Sequence, residues 1–184
     1  VEIPEQFGGA GGNIFLAVLA IEELARVNAS AAIYVDVHNT LVNNCVLRWG
    51  SPEIHRKYLP RLSTDMLGAF ALSEPASGSD AFALETKAER KGDHWELTGR
   101  KFWITNGGEA EFFIVFANTD FSKGYKGISL FVVPKYLVNA DGSLGARNGV
   151  YCGGLEHKMG IHGNATAQIV LDGAVGTLVG QPHK

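Results

Sequence analysis

Three stretches of the sequence carry residue types able to do or support chemistry. In "FALSEPASGSD", Phe70 to Asp80, an apolar run ends in Ser73, Glu74 and Pro75 and continues through small residues. Small side chains let a ligand approach backbone N–H groups closely, so the segment reads either as a ligand-lining loop or as a plain polar turn after a strand. In "RKFWITNGGEAEFF", Arg100 to Phe113, a strand, a turn and the start of another strand are legible, with Trp103 and Thr105 two positions apart. At the strand period of two these share a face, where an indole and a hydroxyl can meet one planar ligand; alone, Trp103 reads as core. The third stretch, "EHKMGIH", Glu156 to His162, holds two histidines, but no further His, Cys or carboxylate completes a metal-ligand set, and no metal is expected.

Other chemistry-bearing frames are missing. "GGAGGN", Gly8 to Asn13, has no strand before it, and its glycines fit neither G-x-G-x-x-G nor Gly-Lys-Ser/Thr, so it reads as a flexible lead-in to a helix. "ASGSD" lacks the G-x-S-x-G frame of a serine nucleophile elbow. The net charge of -3 supplies no basic field, so neither nucleic acid nor an acidic membrane is an expected partner. Cys45 and Cys152 lie far apart and fit reduced thiols in an intracellular compartment. No apolar run approaches the length of a membrane span, and "VEIPEQFGG" has neither part of a signal peptide. The start at Val1 reads as that of a cut or processed product.

The elements that must position these residues fall into two groups. Asn13 caps a helix whose apolar positions are Ile14, Val18, Ile21, Leu24 and Val27. A second helical run, Ser30 through Val46, keeps Ile33, Val37, Leu41 and Cys45 on one stripe and stops at Gly50. Ser51 caps a third, with Pro52 at its first position, Glu53 in its first turn and Leu59-Pro60 near its end. After Thr64 the pattern becomes short apolar runs, "LGAFAL", "HWELTG", "KFWIT", "FFIVFA" and "GISLFVV", separated by turn residues, as in an antiparallel sheet or barrel. "VNADGSLGARNGV" reads as a loop or hairpin tip. The expectation is an α+β fold: a helical segment, residues 1–64, packed on an antiparallel β-barrel, residues 65–184, with Pro60 to Met66 as the joint.

The order "F-A-L-S-E-P-x-x-G-S-D" then "K-x-W-I-T-N-G" resembles the flavin-binding β-domain of the acyl-CoA dehydrogenases. "GGAGGNIFLAVLAIEELARVNAS" resembles that family's helical segment, and "GYKGISLFVVP" and "EHKMGIHGNAT" its later strands. The likeness is to short/branched-chain members, with an insertion around "KYLVNADGSLGARNGVYCGG" like that of larger ones. It implies FAD as cofactor, bound by Phe70, Ala71, Leu72, Ser73, Ser79, Trp103, Ile104 and Thr105. Trp103 would lie against the isoalloxazine, Thr105 would reach N5, and Ser73 would bond the pyrimidine end.

By the same resemblance Ser79 and Tyr125 contact the acyl-CoA substrate. The implied reaction is α,β-dehydrogenation, a carboxylate taking the α proton as the β hydrogen leaves as hydride. The family's base is a Glu in a C-terminal helical domain that this sequence does not reach, so no catalytic residue is assigned here; Glu74 and Glu156 are not substitutes for it. An internal piece of this kind is expected to be inactive alone. Electron-transferring flavoprotein is the implied electron acceptor, a homo-oligomer the implied full-length state, and the bacterial cytoplasm or mitochondrial matrix the implied location. An oxidase or monooxygenase on the same scaffold, or a non-catalytic remnant, are the competing readings.

Overall fold

The computed structural model describes residues 1–139 and 141–182. Ala140 of the polar insertion, and His183 and Lys184 at the end of the expected barrel segment, lie outside the described residues. Helix α1 (Ile14–Val27) starts where the Asn13 side chain accepts the Leu16 N–H at 3.1 Å. Helix α2 (Ala29–Asp36), capped in the same way by Asn28, runs on through a π-helical stretch, Val37–Asn43, into α3 (Asn44–Trp49). Ser51 accepts the Ile54 N–H to open α4 (Pro52–Leu62), with Pro52 where its missing N–H costs nothing.

The π-helical stretch corrects the apolar stripe. Ile33, Val37, Leu41 and Cys45 do not form one buried row: Leu41 is 39% exposed, whereas Val42 and Val46 are fully buried. A π turn closes i to i+5 and holds an extra residue, so the core-facing position moves on by one. Polar side chains occupy carbonyls along it, Asn39 Nδ2 donating to Val35 O and Thr40 Oγ1 to Asp36 O, both at 2.8 Å. His38 uses the stretch to bind the joint. Its Nδ1 accepts the Gly68 N–H at 3.0 Å, which leaves the ring proton on Nε2, 2.8 Å from Leu62 O. Burial lowers the pKa of this imidazole, against the opposing pull of the Leu62 carbonyl, and so favours the neutral ring that both bonds require.

Among the described residues nine strands follow. They are β1 (Gly68–Ala71), β2 (Lys87–Lys91), β3 (His94–Ile104), β4 (Phe112–Asn118), β5 (Ile128–Pro134), β6 (Tyr136–Val138), β7 (Leu144–Arg147), β8 (Val150–Leu155) and β9 (Ala167–Val179). "HWELTG" and "KFWIT" are one strand, β3, rather than two. β4 pairs with β5, β5 with β9, β9 with β3 and β3 with β2, all antiparallel. β2 returns to β4 through Lys87 and Asn118, which closes the ring of pairings. β1 lies parallel to β4, as does the short β2–β4 pairing, the two departures from an all-antiparallel sheet among the described residues, and β8 flanks β9. The polar insertion folds as a separate β6–β7 hairpin.

The ring interior is filled from alternate positions, Leu97, Phe113, Val115, Phe131, Val133, Ile169 and Leu171 among them. The opposite faces of β4 and β5, Phe112, Ile114 and Val132, pack on Val42, Val46, Ile54, Tyr58, Leu59 and Leu62 of the helices. That is why "FFIVF" is continuously apolar: β4 is buried on both faces. Helix α1 is different. Ala17 is its one buried residue, and Ile14, Val18, Leu24 and Val27 of its expected apolar face are exposed.

The shift of the stripe is testable. Val42→Ala is expected to cost on the order of 2 kcal/mol through lost burial and a residual cavity, and Leu41→Ala well under about 1 kcal/mol. Urea denaturation of the two variants measures both. A larger loss at Leu41 than at Val42 would contradict the π-helical register.

Candidate functional site

Two segments distant in sequence are fastened side by side. The Phe102 N–H donates to Ser73 O at 2.9 Å, and Lys101 Nζ donates to Leu72 O at 3.0 Å and to Glu74 Oε1 at 2.6 Å. The Glu74 carboxylate also accepts the N–H groups of Glu85 at 2.7 Å and Thr86 at 3.2 Å. Both charged side chains are buried, 0% exposed for Lys101 and 2% for Glu74. Removing two charges from water costs several kcal/mol per ion, offset here by a short contact and by main-chain partners at the remaining positions. Burial pulls the Lys101 ammonium down to about 8, with Glu74 opposing. Burial works against the Glu74 carboxylate too, but its bonds to Lys101 and to the Thr86 and Glu85 N–H groups outweigh it and hold its pKa below the ordinary value.

Past Lys101 the strand leaves regular geometry. A register shift separates Lys101 from Ile104, and Trp103 adopts a left-handed φ of 56°. Its indole is 58% exposed, so it is not sealed in the barrel. Thr105 lies beyond the end of β3, half-buried in the turn that follows. The period-of-two argument for a shared face therefore does not apply to Trp103 and Thr105, because the left-handed residue breaks the alternation between them.

The next residue fixes the turn. Asn106, left-handed at φ 66°, donates from Nδ2 to Gly68 O at 3.0 Å and pairs with Asn164, its Oδ1 accepting Asn164 Nδ2 at 2.7 Å. Lys158 Nζ holds the Asn164 loop by donating to Ile161 O, Asn164 O and Thr166 Oγ1 at 2.7 to 2.9 Å. From the helices, Tyr34 donates its hydroxyl proton to Glu109 Oε2 at 2.6 Å and accepts the Ala165 N–H at 3.1 Å. Left-handed non-glycine residues cost of order 1–3 kcal/mol each, and persist where surrounding bonds over-determine them, as they do here.

The result is a ledge bearing Ser73, Trp103 and the Thr105 turn. Among the described residues the hydroxyls of Ser73, Ser79 and Thr105 have no hydrogen-bond partner, and a Cβ on Gly78 would meet nothing within 4 Å. Open hydroxyls, an exposed indole and uncrowded backbone fit a flat, polar ring system. Of the other expected residues, Ala71 and Ile104 are buried in the barrel core and leave only their main chain for a ligand. Phe70 is half-buried, edge-on to Phe116 at 5.2 Å. Leu72 is half-buried and Ser79 exposed. Tyr125 stands beside Phe82 on a neighbouring cleft that reaches Leu72. His157 and His162 are exposed, and among the described residues no group of three potential metal ligands forms.

Two features were not read from the sequence: the Glu74–Lys101 pair and the Asn106–Asn164 pair. The signal for the first was a lysine inside an apolar strand pattern. For the second there was none, since the asparagines lie in ordinary turn sequences.

Residues 1–65 match the family profile described as acyl-CoA dehydrogenase, N-terminal domain, and residues 69–174 the one described as acyl-CoA dehydrogenase, middle domain. A Dictyostelium discoideum protein named probable short/branched chain specific acyl-CoA dehydrogenase is 46% identical over 176 residues, 95% of this chain and 40% of that protein. The butyryl-CoA dehydrogenase of Megasphaera elsdenii superposes with a TM-score of 0.88 at 36% identity, covering 100% of this chain and 47% of that one. An acyl-CoA dehydrogenase of Bacillus anthracis, solved complexed with FAD, superposes at 0.83 with 33% identity over 99% of this chain and 30% of its own. The chain thus spans about 40% of the length of the curated relatives it matches. Among the described residues no helix is long and apolar enough to cross a membrane.

Removing one partner of the buried pair leaves an uncompensated charge, so Glu74→Gln is expected to cost about 3–5 kcal/mol. The Glu74→Gln/Lys101→Met double variant should recover an interaction energy on the order of 2 kcal/mol in urea titrations. The pH dependence has a defined sign. A carboxyl held below its ordinary 4.5 contributes stability that is complete above that pH and lost as pH falls through the folded value. The wild-type chain should lose this stability on acidification, and the Glu74→Gln chain should lack that limb. Equal acid limbs in both would contradict the assignment.

Proposed function

The chain belongs to the acyl-CoA dehydrogenase family, and on that premise we propose that it provides the flavin-bearing face of an FAD-dependent enzyme introducing a trans-2,3 double bond into acyl-CoA thioesters. The observation that supports this reading is the Phe102 N–H bond to Ser73 O, which fastens the Ser73 segment to the strand end that carries the exposed Trp103. Trp103 presents a planar apolar surface for one side of a flat ring. Ser73 and Thr105 offer hydroxyl donors at two points along it, and Ser79 a third toward a phosphate or a substrate. Bound FAD would supply the hydride acceptor for the β hydrogen.

This chain's own part is to bind, orient and shield. The Asn106–Asn164 pair fixes the turn that follows the half-buried Thr105, so the backbone from which its open hydroxyl extends is set before a ligand arrives, which favours an oriented ligand over a mobile one. The base for the α proton has to stand on the opposite side of the substrate. Glu74 does not serve as that base, since its carboxylate is buried and committed to Lys101 and two main-chain N–H groups. Tyr125 and Ser79 are the proposed substrate contacts. Electron-transferring flavoprotein is the proposed acceptor and a homo-oligomer the proposed working state, in the bacterial cytoplasm or the mitochondrial matrix.

Titration of FAD into the protein, followed by flavin fluorescence, tests the ledge. Trp103→Ala is expected to weaken binding about 10-fold, the loss of one aromatic stacking contact, while Phe15→Ala, an exposed ring on α1, leaves it unchanged. Equal affinities in wild type and Trp103→Ala would contradict the placement. The 184-residue chain by itself, even loaded with FAD, is expected to give no steady formation of 2-enoyl-CoA from a short acyl-CoA, because none of its carboxylates is assigned as the base; steady formation detected by mass spectrometry would contradict that reading.

A further inference from the structure

The helices and the ledge meet at one glycine. Gly68 opens β1; its N–H donates to His38 Nδ1 at 3.0 Å, and its carbonyl accepts Asn106 Nδ2 at 3.0 Å. The same Asn106 accepts Asn164 Nδ2 on its Oδ1 at 2.7 Å and donates its own N–H to Asn164 Oδ1 at 3.3 Å, which fixes the turn after Thr105. A Cβ on Gly68 would run into the Val42 side chain, so the π-helical stretch that carries His38 lies directly against this glycine. One residue therefore stands between the imidazole and the ledge turn. We infer that His38 is a proton-operated positioning residue: neutral, it holds Gly68 and, through Asn106, the Thr105 turn; protonated, it lets go of them.

The two bonds make different demands on one ring. Nδ1 can accept only while it carries no proton, whereas Nε2 donates to Leu62 O at 2.8 Å in either state. An added proton therefore goes to Nδ1. There it meets the Gly68 N–H, so that two donors face each other where one hydrogen bond stood. The bond to Leu62 survives, which leaves the ring anchored to the end of α4 and releases the sheet side alone. The asymmetry confines the effect to β1 and what β1 holds.

The surroundings keep the ring neutral near neutral pH and still let a proton reach it. Burial lowers its pKa, the Leu62 carbonyl opposes that, and the Val1 ammonium, bound by Asn39 Oδ1 at 2.7 Å, adds to the lowering. The ring is half-buried and lines an open cleft of about 630 Å³ together with Asp65. Nearby charges have partners of their own. Asp65 pairs with Arg61 at 3.0 Å, Asp36 accepts the Thr40 hydroxyl at 2.9 Å on the turn before His38, and Glu2 accepts Asn44 Nδ2 at 2.9 Å. On the sheet side, residues 66–71 carry no ionisable group. A histidine held below its ordinary 6.5 keeps its contribution complete above that pH and loses it as pH falls through the folded value. The loss at Glu74 sets in only below 4.5, so the upper part of the window belongs to His38.

His38→Gln is the control, because a side-chain amide can span the same two bonds, its oxygen accepting the Gly68 N–H and its nitrogen donating to Leu62 O, with nothing to titrate. The FAD affinity of wild type is expected to fall about 10-fold between about pH 7.5 and about pH 5, and that of His38→Gln to stay within about 2-fold. A fall of the same size in both, or none in wild type, would overturn the coupling to the ledge. A second measurement needs neither flavin nor substitution. In an NMR pH titration of wild type, the Gly68 amide and the Asn106 side-chain amide are expected to shift with the midpoint of the His38 ring. A ring that titrates while either amide stays fixed, or a ring still neutral at about pH 5, overturns the inference whether or not His38→Gln folds. The FAD arm rests on the flavin reading above and the NMR arm does not, so wild type that takes up no FAD at about pH 7.5 would contradict that reading alone.

Discussion

A lysine and a glutamate sealed from water, Lys101 and Glu74, hold the two chemistry-bearing segments in one place. Neither segment has a reason to lie beside the other from local sequence alone. One leaves a short strand parallel to β4; the other is the end of β3, across the ring. The ammonium reaches Leu72 O and Glu74 Oε1, and Glu74 in turn holds the amides of Glu85 and Thr86. One buried contact thus sets the spacing among β1, β3 and the chain before β2. A pair of apolar side chains of equal volume would pack as well, but would not fix direction as hydrogen bonds between charged groups do.

On that foundation the strained residues make sense. Trp103, Asn106 and Ile161 all take positive φ, and Asn106 and Ile161 lie in the two loops that the Asn106–Asn164 amides join, the second of them held by Lys158. The strain has a visible product: an indole turned out of the sheet and a hydroxyl held in a fixed turn. A regular continuation of β3 would have kept the strand's in-and-out alternation through this point. The helical segment contributes through His38, Tyr34 and the Asn106 bond to Tyr34 O, so the loops are steadied from the helices as well as from the sheet.

Much of this was legible in the residues. Asn13 and Ser51 are caps with the expected bonds, and the short apolar runs are strands. The pair of motifs, in order, was enough to identify the family. What failed did so for physical reasons. Alternation assumes extended backbone, and Trp103 is left-handed; the stripe through Leu41 assumes 3.6 residues per turn, and the π-helical stretch has more. The exposed face of α1 carries a helical period that is correct as a pattern, yet a pattern states which face is apolar and not what covers it. The Glu74–Lys101 and Asn106–Asn164 pairs are long-range, and single-sequence periodicity contains no information about partners of that kind.

Amide hydrogen exchange of the protein with and without FAD tests the central claim most directly. If the flavin lies across the junction made by the buried ion pair, addition of FAD slows exchange in residues 70–79 and in residues 102–106 together, and leaves the β6–β7 hairpin untouched. Protection of one segment without the other, or of the hairpin in their place, would contradict it.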